Sequence, residues 1–112
     1  MKLSKKQQEV LDGAKARIDF ARNHSFYEWV RTNISLMYDF TDEQIDAELL
    51  RRKEQGWKVW EHEAYEETKN GFTWMYCNSR TLHKLAEYGL IEILRDSTGE
   101  SYGTDSVKVL NY

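Results

Sequence analysis

Three helix starts stand in order in the first half of the chain: Ser4 with Gln7, Ser25 with Glu28, and Thr41 with Gln44. Each pair fits the capping box. The hydroxyl accepts an orphan N–H of the first turn, and the Gln or Glu three residues on reaches back to the N-cap N–H. No proline follows to interrupt what these caps begin. The spacing predicts helices over 5–22, 26–38 and 42–55. Val10, Leu11, Ala14, Ile18 and Ala21 recur at three- and four-residue intervals on the first, opposite a face with Lys5, Lys6, Lys15, Arg17 and Arg22. Phe26, Trp29, Val30, Ile34 and Met37 make the second strongly apolar. Ile45 and Leu49, with Leu50 beside them, mark the buried side of the third, and Gly56 suits the position after its C-terminus.

Beyond Gly56 the period changes. Trp57-Lys58-Val59-Trp60 alternates, the run turns acidic through Glu67, and Asn70-Gly71 precedes the β-prone stretch Phe72–Cys77. Asn-Gly tolerates the positive φ of a type I′ turn, which favours a central β-hairpin with Tyr65 facing Tyr76 and Glu67 facing Trp74. Trp57, Trp60 and Ala64 also fit helical spacing, so a helix over 57–68 is the competing reading. A further helix is expected over 80–88, capped by Asn78 or Ser79 and stopped by Gly89. Strands are expected near 90–95 and 106–111, flanking a polar loop with two glycines. The expected class is α+β: N-terminal helices, a central β-hairpin, then a helix and a C-terminal β-hairpin.

A chain of 112 residues suits one domain, and 40% hydrophobic residues are enough for a core without staples. The single Cys77 cannot form an internal disulfide. Met1-Lys2-Leu3 runs straight into polar residues, and no apolar run approaches bilayer length, so a cytoplasmic location is the default expectation. The net charge of −3 argues against a non-specific nucleic-acid binder but not against a specific one, for which the local field matters more.

Residues 79–95 read Ser-Arg-Thr-Leu-His-Lys-Leu-Ala-Glu-Tyr-Gly-Leu-Ile-Glu-Ile-Leu-Arg. This segment resembles the recognition-helix and wing junction of winged-helix proteins such as the MarR-like regulators, where Thr-x-x-x-x-Leu-x-x-x-Gly-Leu-Ile leads into a β-hairpin wing. Thr81, Leu82 or Leu85, Gly89, Leu90 and Ile91 take comparable places. Asp105–Tyr112 is similar, more loosely, to the closing strand of small phage and prophage proteins. The resemblance covers under a third of the chain. It implies a winged-helix-like fold and double-stranded DNA as partner, bound by a homodimeric phage or prophage transcriptional regulator. Arg80, Thr81, His83 and Lys84 would enter the major groove, where an Arg can read guanine. Arg95 and the wing tip would meet phosphate or minor groove, with helix-one cations adding phosphate contacts. Two features depart from the pattern. A strand-like stretch stands where a short helix should precede the recognition helix. From residue 78 on, Arg80, Lys84, Arg95 and Lys108 are outnumbered by Glu87, Glu92, Asp96, Glu100 and Asp105.

The rival reading is a non-catalytic protein-interaction module using the acidic stretch Glu61–Glu67 and exposed aromatics. Trp57, Trp60, Trp74 and Tyr76 would form a ligand platform, although aromatics at strand spacing more often fill a core. Glu61-His62-Glu63 with Glu66 and Glu67 invites a metal, yet His62 and Cys77 are the only nearby pair of good ligands, too few for a zinc site. Cys77 beside Met75 and Trp74 reads as a core thiol, and His24 as a charge suited to the end of helix one. No nucleophile–base set, Gly-rich phosphate loop or Walker-like sequence occurs. No enzyme activity, cofactor or metal is expected.

Overall fold

The computed structural model describes residues 2–95 and 105–112, without the side chains of Arg95 and Asp105. Five helices and three strands follow in order: α1 (Lys5–Asn23), α2 (Phe26–Met37), α3 (Asp42–Gln55), α4 (Val59–Lys69), β1 (Phe72–Met75), α5 (Ser79–Glu87), β2 (Ile91–Arg95) and β3 (Asp105–Val109). The class is α+β, as expected. All three capping boxes form: Ser4, Ser25 and Thr41 each accept from the residue three ahead, and Gln7, Glu28 and Gln44 each return the bond. No helix among the described residues is long and apolar enough to cross a membrane.

The central hairpin is replaced by α4 and β1. Residues 59–69 are helical, and Asn70-Gly71 ends that helix instead of turning a hairpin. The Asn70 N–H donates to the Glu66 and Glu67 carbonyls, and the Gly71 N–H to Thr68. Asn-Gly serves either purpose, because a helix C-terminus and a type I′ turn both need positive φ, and Gly71 has φ 94°. Tertiary contact decides the case. The covered residues Glu61, Ala64, Tyr65 and Thr68 recur at three- and four-residue intervals on one side of α4, a spacing that no strand face offers. Tyr65 and Glu67 therefore do not pair with Tyr76 and Trp74 across a ladder, and β1 pairs with β3 instead.

The sheet is antiparallel with strand order β1-β3-β2, so the last strand in the chain lies in the middle. Phe72 pairs with Lys108 and Ile91 with Val109. A bulge between Ile93 and Arg95 offsets the end of β2. Alternate residues Met75, Ile91, Val107 and Val109 point to one face, where Leu11, Ala14 and Ile18 of α1 and Leu82 and Leu85 of α5 cover them. Phe72, Glu92 and Lys108 lie on the other face, with the Lys108 ammonium 5.2 Å from the Phe72 ring centre.

A second core sits apart from the first. Val30 and Ile34 of α2 meet Ile45 and Leu49 of α3, flanked by Phe26, Trp29 and Trp57. Met37, counted among the apolar residues of α2, and Leu50, expected on the buried side of α3, are 74% and 56% exposed. An aromatic cluster borders the second core and ties α4 to the end of α1. Phe26 stacks on His62 at 4.0 Å and meets Trp57 and Tyr65 edge-on, and the Tyr65 hydroxyl donates to the His24 carbonyl at 2.5 Å. The described residues span 48 × 29 × 23 Å, the long axis reflecting this division.

Charges clamp α3 to α4. Arg52 donates to Glu48 at 2.8 Å and, across the Gly56 turn, to the buried Glu61 at 3.1 Å. The second Glu61 oxygen accepts the Lys58 N–H that opens α4. Hydrogen bonds from Arg51 and then Arg52 pull the Glu48 carboxyl from its ordinary 4.5 to about 2. The native state thus prefers Glu48 ionised. That preference adds stability above pH 4.5 and is lost as the pH falls from there through about 2. Thermal melts followed by circular dichroism between neutral pH and pH 2 should show this decline, and Glu48→Gln should flatten it. An unchanged pH profile in the variant would place the acid sensitivity elsewhere.

Candidate functional site

The α5 surface is built from its cap. The Asn78 carboxamide oxygen accepts the Thr81 N–H at 2.8 Å, which starts the helix directly after β1 and Tyr76-Cys77. No short helix intervenes between β1 and α5. At the other end Gly89, at φ 75°, allows the Leu90 N–H to donate to Leu85 and the Gly89 N–H to Ala86, a Schellman closure that turns the chain into β2. Leu82 and Leu85 are fully buried, so the opposite side of α5 faces solvent.

The expected DNA contacts divide unevenly over this surface. Arg80, His83 and Lys84 are exposed. Thr81 is only 8% exposed and sits with the core-facing residues, one position before Leu82. Lys84 pairs with Glu87 at 3.2 Å, which offsets its charge. The Arg95 side chain and the loop of residues 96–104 lie outside the described residues. The cations of α1 do not form one stripe. Lys5 and Lys6 are exposed near its start. Lys15 lies 5.0 Å from the Tyr112 ring centre, and Arg22 donates to the carbonyls of Lys69 and Tyr112.

Arg17 defines a second surface. Its guanidinium stacks on the Trp74 ring at 3.8 Å, Nε donates to Thr73 Oγ1 at 3.2 Å, and Nη2 donates to the Trp74 carbonyl. It thus covers part of the free edge of β1. Burial pushes its pKa down, and no carboxylate among the described residues pairs with it. Beside it runs a groove of about 390 Å³ between α1, α2, α4 and β1, with Phe20, Trp29, Leu36 and Trp74 as its large apolar walls. Its polar residues are mostly satisfied within the fold. Thr68 Oγ1 donates to the Ala64 carbonyl at 2.8 Å, and Asn33 Nδ2 to the Trp29 carbonyl at 3.0 Å.

Sequence reasoning did not find this groove, because its walls come from four elements and no local period marks them. Trp60, Trp74 and Tyr76, expected in a core, are 59%, 46% and 59% exposed. Trp57 is partly buried against the second core. Within the acidic stretch, Glu61 and Tyr65 are buried while Glu63, Glu66 and Glu67 face solvent. His62 stacks on Phe26, and Cys77 packs against the main core. Among the described residues no group of three His, Cys, Asp or Glu is placed to hold a metal ion.

No family model, curated protein or solved structure matches the chain.

Proposed function

We propose that the chain is a small, non-catalytic DNA-binding protein of winged-helix-like build, serving as a phage or prophage transcriptional regulator. The single observation that carries this reading is the placement of α5. It connects β1 to β2, packs by Leu82 and Leu85 against the core face of the β1-β3-β2 sheet, and turns Arg80, His83 and Lys84 to solvent. A helix presented in this way can enter a major groove while the adjoining hairpin reaches the backbone. Arg80 is the residue for base reading, Lys84 for phosphate, and Lys5 and Lys6 for further phosphate contacts. Thr81 acts as a packing residue.

Anisotropy of a labelled duplex, titrated across salt concentrations, tests this. Lys84→Ala should reduce the salt slope by about 1, and Arg80→Ala should cost about 1–3 kcal/mol on a preferred site. Unchanged affinity and slope in both variants would remove α5 as the reader.

A second reading, a protein-interaction module, is favoured by a different observation. Leu36, Val59 and Trp60 are 76%, 71% and 59% exposed, large apolar side chains that a protein partner could cover. Absence of duplex binding even at low salt would favour it.

A further inference from the structure

We propose that Arg17 is a built-in stopper for the β1 edge of the sheet, an intramolecular contact that keeps a second copy of this chain from adding its own β1 there. The inference rests on neither reading above. In the order β1-β3-β2, β1 has a strand neighbour on one side only among the described residues. The Val109 N–H donates to the Gly71 carbonyl, which makes Gly71 and Val109 a hydrogen-bonded pair. Alternation along the antiparallel ladder then turns the backbone of Thr73 toward Val107. It leaves the N–H and C=O groups of Phe72 and Trp74 pointing away from β3. Such groups are a template for another strand, and an edge left open in this way invites pairing between copies.

Arg17 reaches this edge from α1. Nη2 occupies the outward Trp74 carbonyl, Nε donates to Thr73 Oγ1 at 3.2 Å, and the guanidinium lies 3.8 Å from the centre of the Trp74 ring. An incoming strand would need that carbonyl and the space beside it. Charge pairing does not account for a cation at this place. Burial pushes the Arg17 pKa down, and no carboxylate among the described residues offsets that cost. What holds the side chain is a planar fork that bonds and stacks at once, which a lysine ammonium does not offer. The opposite edge is blunted by other means. A bulge between Ile93 and Arg95 distorts β2, a feature that disturbs strand addition. Proline, a further common edge blocker, is absent from the chain. Without Arg17 the β1 edge would therefore stand unguarded.

Sedimentation equilibrium and native-state amide exchange of the whole chain, from micromolar to millimolar concentration, test the proposal. Arg17→Ala should associate at least roughly tenfold more tightly than the wild type. The Phe72 and Trp74 amides should gain protection as its concentration rises. Trp74→Pro in the Arg17→Ala background should return association to the wild-type level, because proline removes an outward N–H and costs the ladder no bond. Arg17→Met keeps an unbranched stem and removes every donor. It should behave like Arg17→Ala, and it reads the edge if circular dichroism shows that alanine at this site fails to fold. Folded variants that keep the wild-type oligomeric state overturn the proposal. So does association that leaves the Phe72 and Trp74 amides unprotected or that survives Trp74→Pro, since either places the contact elsewhere in the molecule. Loss of the fold in both single variants would make Arg17 a packing residue and overturn it as well.

Discussion

Leu82→Ala is expected to destabilise the protein by about 2–5 kcal/mol, lowering Tm by roughly 8–20 °C for a domain of this size. Leu82 is fully buried, and it lies in the cluster where α5 meets α1 and the sheet. Truncation removes the transfer free energy of the lost carbons and leaves a cavity, since Met75, Leu85 and Val107 are held by strand pairing or helix geometry and cannot all collapse into it. Leu85 alone would then seat the middle of α5. A thermal melt reads the effect directly. A loss below 1 kcal/mol would mean that α5 is not held by this contact, and the outward presentation of Arg80 and Lys84 would lose its basis.

Leu49→Ala should cost a similar amount, about 2–5 kcal/mol, but distribute it differently. Leu49 belongs to the second core, which α2 and α3 build between themselves with help from Phe26, Trp29 and Trp57. The sheet contributes nothing to that cluster. Amide exchange should therefore accelerate first in α2 and α3, while β1, β2 and β3 keep their protection. Equal loss of protection in the sheet would show that the two cores unfold as one unit, with the aromatic cluster around Tyr65 strong enough to couple them.

The first three helices were legible because capping is local: Ser4, Ser25 and Thr41 need only the residue three ahead. The segment from Asn78 to Val109 was legible for a similar reason, since Gly89 and the alternation of Ile91, Ile93, Val107 and Val109 announce a helix stop and two strands. Residues 57–71 were not. Asn70-Gly71 satisfies a hairpin and a helix end alike, and only the covering of Glu61, Ala64, Tyr65 and Thr68 at helical spacing by other elements selects the helix. Thr81 was misplaced for a geometric reason: α5 turns its first residues so that Thr81 follows Leu82 and Leu85 inward while Arg80 does not. The groove was invisible because Phe20, Trp29, Leu36 and Trp74 come from three helices or strands that only tertiary packing assembles.

The strand order also sets a timetable for maturation. β1 and β2 leave the ribosome before β3, yet neither has a partner in the other, because β3 stands between them. Helices capped by their own sequence can form as they emerge, whereas the sheet must wait for residues 105–109. Until then Met75 and Ile91 lack the surface that Val107 and Val109 give them. The nascent chain is therefore a set of helices with an unfinished floor until Val109 arrives.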